Sequence, residues 1–336
     1  MQQKHRNRLR LAAMVLVIFM LALTGCAKKQ ANTNTESGGK QVDVIRVATP
    51  NAPTSPSIYY VGDELGFFAE QGIKLEYAGV VPSPQLVAAV VAGKLDVGGA
   101  HVNRTIAGIS AGAKIKAVAA NTETSQAIPH MVGVVTKNSP IKSAQDMVGK
   151  KIGIPTIGGC NEYTPYAYMK KQGIADPKSK VEVIVMPEAQ LDQALRQGNI
   201  DLAMMHKTAD FIQERGEFTV LFSDFDVWEA IGGATPAYFS ETFIKEKPDV
   251  VKRFVAAVAK TNNWANANPD KAIEITAKRA KVDPKTIKPG YYAKDAVILE
   301  ETVTVWIALL TDFNEIKAGI KPEQIYTNEF NPKVKK

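Results

Sequence analysis

The chain has 336 residues, of which 45% are hydrophobic and 7% aromatic, enough to bury a sizeable core. It carries 41 Lys and Arg against 34 Asp and Glu, or +7; four of the positive charges (Lys4, Arg6, Arg8, Arg10) precede the first apolar run, leaving +3 of the +7 for the rest. So small and dispersed a surplus, with no Lys/Arg run interleaved with aromatics, excludes a nucleic-acid surface.

Residues 1–25 read as a targeting segment. A basic start is followed by a continuous apolar run from Leu11 to Thr24, shorter than the roughly 20 residues of a membrane span. The run ends in Leu23-Thr24-Gly25-Cys26, which resembles the lipobox of bacterial lipoproteins. That resemblance implies lipidation of Cys26 and cleavage before it. A diacyl anchor buries two chains, sufficient for stable attachment to a membrane. Residues 26–41 are polar and rich in Gly, Ser, Thr and Asn, with no apolar face to bury, and are expected to form a disordered tether.

From Val42 onward, strand and helix patterns alternate. Asp43–Ala48 reads as a strand, Asn51–Ser57 as a loop and Ile58–Phe68 as one helix ending near Gly72. Lys74–Tyr77 and Leu95–Val97 are strands around a helix over Pro84–Ala92. Ile106–Gly112 is a helix and Lys116–Ala120 a strand. A long extended run then covers Ile128–Thr136. The alternation restarts at Lys150–Pro155, with a helix over Tyr163–Gly173, a strand at Val181–Val185, a helix at Glu188–Gln197 and a strand at Ile200–Met204. A helix over Thr208–Gly216, a strand at Phe218–Phe222 and a second extended run over Ile231–Phe239 follow. The remainder is mainly helical, ending in a long helix over Asp295–Ile316 expected to bury Val303, Ile307 and Leu310. Alternation of this kind predicts an α/β fold with parallel sheets. Two modules joined by two crossing strands predict a hinged clamshell. The expected boundaries are 42–128 plus 232–336 for lobe 1 and 129–231 for lobe 2.

No Walker loop, GxSxG or HExxH is present. With Cys26 lipidated, Cys160 has no intramolecular partner, so disulfides are not expected. His5, His101, His130 and His206 show no metal-ligand spacing. His101 and His206 together could ligate a metal, but the sequence pattern supplies no third or fourth ligand, so neither metal nor cofactor is expected.

Several phrases carry a family resemblance: LGFFAEQGIKLEYAG, QLVAAVVAGKLDVGGA, SAGAKIKAVAA, NSPIKSAQDMVGKKIGIP and QALRQGNIDLAMM. In this order and spacing, over roughly residues 45–320, they resemble substrate-binding proteins of ABC importers for nitrate, sulfonates, taurine and thiamine-precursor pyrimidines. The resemblance implies the type II periplasmic-binding-protein fold, two α/β lobes and a cleft. It implies a monomer on the extracytoplasmic face of a membrane that captures a small, anionic organic solute and passes it to a permease and its ATPase. The alternatives are an enzyme of the thiamine-pyrimidine type, or a binding protein for a pyrimidine or an aromatic carboxylate.

Ligands of open α/β sheets bind beyond the carboxyl ends of the strands, where helix N-termini favour anions. The expected ligand-binding residues are therefore Ser55, Ser57, Ser83, Gln85, Ala100, His101 and Asn103 in lobe 1. Lobe 2 contributes Gly158, Gly159, Cys160, Asn161 and His206, and Trp228 lies near the second crossing. Family members usually carry a hydroxyl where this chain has Cys160. The thiol reads as a weak donor or a small buried apolar group, and with no base nearby in sequence not as a nucleophile. Arg104 could clamp a carboxylate or lie on a solvated helix face. Trp228 could stack on a flat ligand or pack on the hinge. His130 reads as structural, and Trp264 and Trp306 as core. No catalytic residue is expected.

Overall fold

The structure is a computed structural model and describes residues 42–207, 212, 216–229 and 235–334. The targeting segment, Cys26, the tether, most of the helix expected over Thr208–Gly216 and the start of the second extended run lie outside the described residues. Among the described residues, no helix is long and apolar enough to cross a membrane.

The strands are β1 (Asp43–Val47), β2 (Ile73–Tyr77), β3 (Val97–Gly99), β4 (Ile115–Ala120), β5 (Thr122–Glu123), β6 (Val132–Thr136), β7 (Lys151–Ile154), β8 (Glu182–Val185), β9 (Leu202–Met205), β10 (Phe218–Ser223), β11 (Pro236–Ser240) and β12 (Tyr291–Tyr292). They form two five-stranded sheets, ordered β2-β1-β3-β11-β4 and β10-β6-β9-β7-β8, and a short β12-β5 ladder. β1 runs parallel to β2 and β3, and β7 parallel to β8 and β9. The antiparallel strands are those entering from the other half: β11 between β3 and β4, and β6 between β9 and β10. This exchange makes the α/β clamshell, with two lobes tied by two crossings.

The helices that matter below are α1 (Ile58–Glu64), α2 (Leu86–Val91), α3 (Val102–Ser110), α4 (Cys160–Lys171), α5 (Glu188–Arg196), α6 (Asp224–Trp228), α7 (Pro248–Ala267), α8 (Pro269–Ala280) and α9 (Glu300–Asp312). α1 and α7 cover one face of the first sheet, burying Ile58, Val61, Phe254 and Val258 against Ile45 and Phe239. α5 covers one face of the second, with Leu191 and Leu195 against Val134 and Ala203. A third apolar cluster runs through the seam between the sheets, joining Ile106 and Tyr238 of the first lobe to Tyr163 and Met204 of the second.

Several expectations change in detail. The helix from Ile58 stops at Glu64 because Gly66, at φ +74°, turns the chain into a separate four-residue helix, Phe67–Glu70. α3 begins at Val102 instead of Ile106, with His101 as its N-cap. In the first crossing the strand begins only at Val132, after Pro129, which lacks the N–H a ladder needs. The last long helix covers Glu300–Asp312, and its inner stripe is Thr302, Val303, Trp306 and Leu310; Ile307 is only half-buried.

Burial raises the Glu123 carboxyl on β5 from 4.5 to about 7. Its contribution to stability is therefore full below pH 4.5 and is lost as pH rises through 7. Glu123→Gln should leave thermal unfolding unchanged at pH 4.5 and stabilise the fold at pH 8 by about 1–2 kcal/mol; equal melting shifts at the two pH values would count against this.

Candidate functional site

The loops at the carboxyl ends of β1 and β3 surround an open cavity of about 520 Å³. Its polar lining is made of hydroxyls and amides, Thr49, Asn51, Ser55, Ser57, Ser83 and Thr122 among others, with no Lys, Arg, Asp or Glu among the described residues. Ser57 also caps α1, accepting from Tyr60 N–H at 3.4 Å. Ser55 and Thr122 continue into a small hollow that reaches His130 and Lys288. A second cavity, about 280 Å³, opens at the seam, where Ser83 and Asn103 face Gly158 and Tyr163. Gln85 is exposed just before α2 and lines neither cavity.

The seam itself is closed by polar bonds from α3. Asn103 Nδ2 donates to Gly158 O at 2.9 Å. Arg104 Nη2 donates to Thr156 Oγ1 at 3.0 Å and to Ile157 O at 2.8 Å. Arg104 thus reaches across to lobe 2 and is not a solvated-face residue; its burial lowers the guanidinium's pKa. The receiving turn needs its two glycines. Gly158 sits at φ +69°, and a Cβ on Gly159 would lie 3.0 Å from Thr156 Oγ1 and 3.1 Å from Arg104 Nη2. Gly158 N–H donates to Glu162 Oε2 at 2.6 Å, pinning the turn to α4. Asn161, in the first turn of α4, is buried, and its Nδ2 has no acceptor among the described residues.

Behind this latch four side chains from four segments converge. His101 is the α3 N-cap; its Nδ1 lies 3.1 Å from Asn103 Oδ1. His130 precedes β6, Cys160 opens α4, and His206 follows β9. Cys160 Sγ lies 3.6 Å from His130 Nε2 and 4.0 Å from His206 Nε2. One donor atom each from His101, His130 and Cys160 falls within a 4.8 Å span. The rings of His130 and His206 meet edge to face at 5.1 Å, and those of His101 and His130 are 5.6 Å apart.

Glu188, the first residue of α5, holds His206 by both oxygens: Oε1 accepts from the His206 backbone N–H at 2.7 Å and Oε2 lies 2.8 Å from Nδ1. Burial alone would lower the His206 pKa, but the Glu188 carboxylate, with Cys160, raises it to about 10. Burial opposes ionisation of Glu188 too, yet His206 brings its pKa below the usual range, so the two shifts agree on an ion pair. His130 is held well below its ordinary value, first by burial and then by the neighbouring His206, His101 and Lys288. Lys288 is buried, brought down to about 8 by desolvation, and its Nζ donates to Pro129 O at 2.9 Å and His130 O at 2.8 Å.

The wall of the cluster is aromatic. Trp306 meets the His101 ring edge-on at 4.7 Å, and Trp228 lies 4.7 Å behind it. Trp228 packs against Trp306 of α9, which also contacts the His101 ring. Trp306 is core, as its sequence setting suggests, but it also walls the site. Trp264 is half-buried against the α1–α7 layer. Of the expected ligand residues, His101, Asn103, Gly158, Gly159, Cys160, Asn161 and His206 meet at the seam; Ser55, Ser57 and Ser83 line the large cavity; Ala100 is buried before His101. His130, Glu188 and Lys288 were not legible as site residues. In sequence, His130 is one position of an extended run, and Glu188 is the first residue of a helix.

A family profile described as NMT1/THI5 like matches residues 54–272. A Brucella abortus protein with a provisional name as a binding protein is 26% identical over 293 residues, covering 82% of this chain and 87% of its own. The riboflavin-binding protein RibY of Chloroflexus aurantiacus is 23% identical, covering 94% and 96%. Among solved structures, the alkanesulfonate-binding protein SsuA of Xanthomonas axonopodis, bound to MOPS, aligns with TM-score 0.67 at 14% identity, covering 85% of this chain and 99% of its own. The desulfurization enzyme DSZB aligns with TM-score 0.61 at 14% identity, covering 86% and 97%. At these identities the structural likenesses show the fold, that of periplasmic binding proteins. The profile spans more than half of the chain, which therefore belongs to the NMT1/THI5-like family.

Proposed function

We propose that the protein is the solute receptor of an ABC importer, held by a lipidated Cys26 on the extracytoplasmic face of a membrane. It takes up a small organic solute as the lobes close and delivers it to a permease. The observation that carries this reading is the cavity of about 520 Å³ at the carboxyl ends of β1 and β3, beside the closed seam. That volume lies within the roughly 300–1,000 Å³ of small-molecule sites. Its hydroxyls and amides suit an anionic head group of the sulfonate, taurine or nitrate kind held by hydrogen bonds without a cation. The binding functions named for RibY and the Xanthomonas protein support solute capture as the family's use of this fold.

A thermal-shift screen of the full chain against alkanesulfonates, taurine, nitrate, aromatic carboxylates and pyrimidines tests the reading. A solute at 100 times its dissociation constant should add about 2.7 kcal/mol to stability. Ser83→Trp, which fills the mouth of the cavity, should abolish that gain and leave the solute-free melting unchanged. No response to any class would sink the reading.

The interlobe latch gives a separate expectation. Arg104→Ala removes two hydrogen bonds from a cation and should favour opening by about 1–3 kcal/mol. Small-angle scattering should then show a larger radius of gyration; an unchanged radius would mean that Arg104 does not hold the seam.

A second reading, an enzyme, is favoured by the Cys160–His206–Glu188 alignment, a thiol facing an imidazole oriented by a carboxylate. It predicts turnover lost in Cys160→Ser.

A further inference from the structure

The geometry points to a transition-metal site at the seam, with His101, His130, Cys160 and His206 as its four ligands and zinc or copper as the class of ion. The site is independent of the importer reading, because coordination needs only these four side chains.

Imidazole nitrogen and thiolate sulfur are the donor set preferred by these borderline and soft cations. No carboxylate belongs to the inner set, which disfavours magnesium and calcium. A tetrahedral site with metal–N near 2.0–2.1 Å and metal–S near 2.3 Å has edges of about 3.3–3.6 Å. The observed separations from Cys160 Sγ, 3.6 Å to His130 Nε2 and 4.0 Å to His206 Nε2, need only a few tenths of an ångström of contraction. The third imidazole, His101, places its donor within 4.8 Å of those of His130 and Cys160.

The surroundings are those of a built site. Glu188 takes His206 Nδ1, leaving Nε2 toward the thiol, the carboxylate–histidine–metal arrangement that fixes ring orientation. Asn103 holds Nδ1 of His101 from two sides, with Oδ1 at 3.1 Å and its backbone N–H at 3.5 Å. Trp306 and Trp228 exclude water on one side. The ligands come from lobe 1, lobe 2 and the first crossing, so a bound ion would tie the lobes together. Asn103 links the two functions, touching His101 with Oδ1 and Gly158 of the facing lobe with Nδ2. The ion is either resident or carried; both use the same coordination.

The test is titration of the chelator-treated full chain with Co²⁺ and Zn²⁺. One equivalent of Co²⁺ should bind, with a near-ultraviolet thiolate-to-cobalt band that Zn²⁺ displaces. Cys160→Ser should lose that band while melting like the metal-free wild type. His130→Ala and His206→Ala should each weaken binding by more than the roughly 10–100-fold expected for Glu188→Gln. Zn²⁺ should also protect Cys160 from alkylation. A wild-type chain without the thiolate band, undiminished affinity in Cys160→Ser, or alkylation that Zn²⁺ does not slow would each overturn the proposal. One equivalent retained through chelator dialysis identifies a resident ion, and loss within minutes followed by uptake identifies a carried one; either sustains the site. Failure of this titration leaves the organic-solute screen untouched, and failure of that screen leaves the titration untouched.

Discussion

Trp306→Ala should lower stability by about 3–5 kcal/mol, the usual cost of removing a fully buried large aromatic. In thermal unfolding this corresponds to a fall of roughly 6–20 °C. The effect is large because the indole fills the junction of three elements. It packs on His101 from the start of α3, on Tyr163 from α4 at 6.3 Å and on Trp228 from α6. The same helix end makes further cross-lobe contacts: Phe313 stacks on Tyr163, and Asp312 and Glu315 pair with Lys170 and Lys178. Those two ion pairs are half-exposed and contribute little. The apolar junction therefore carries the stabilisation, and its loss should free the His101 ring. Trp264→Ala is the control: that indole is half-buried, away from the seam, and should cost less than about 2 kcal/mol. Equal losses in the two variants would show that the seam has no special packing role.

The fold was legible where periodicity follows burial. β1 and β2 alternate, and α7 shows an apolar stripe with Pro248 in its first turn. β3 was shifted by two residues because its strand is Val97-Gly98-Gly99. Two glycines carry no strand preference, and pairing on both sides imposes the conformation, through Val47 opposite Val97 and Ala237 opposite Gly99. Site residues in loops after strands were legible for a topological reason: His101, Asn103, Gly158, Cys160 and His206 follow β3, β7 and β9, whose carboxyl ends face the seam. What the sequence could not show is adjacency between residues 30 or more positions apart. Cys160 lacks a basic neighbour along the chain but has two imidazoles in space, one from the first crossing and one from the end of β9. Arg104 was open to a clamp or a solvated-face reading because the surface that covers it belongs to the other lobe.

The first crossing depends on one buried cation, so Lys288→Met should destabilise the protein by about 2–4 kcal/mol. Lys288 Nζ supplies the donors that satisfy Pro129 O and His130 O. A thioether of similar volume fills the space but leaves both carbonyls without that partner. The substitution also removes a positive charge that opposes the rise burial imposes on the pKa of Asp224. Asp224 accepts from Thr124 Oγ1 and from Met131 N–H, the latter at 3.2 Å, so it secures the same crossing from the α6 side. Removing the desolvation cost of the lysine offsets part of the loss, and the size of that offset is measurable. In a double-mutant cycle with Asp224→Asn, a coupling of roughly 1–2 kcal/mol is expected, because the second substitution removes the carboxylate that the first leaves uncompensated. Chemical denaturation of the four proteins reads the cycle; additive losses would show that the two groups stabilise the crossing independently. The structural consequence is specific to His130. Its main chain is fixed by Lys288 and its ring stands 3.6 Å from Cys160 Sγ. Lys288→Met should therefore weaken Co²⁺ binding at the seam even under conditions where the variant is fully folded. A folded variant with wild-type Co²⁺ affinity would separate the crossing's stability from the placement of His130.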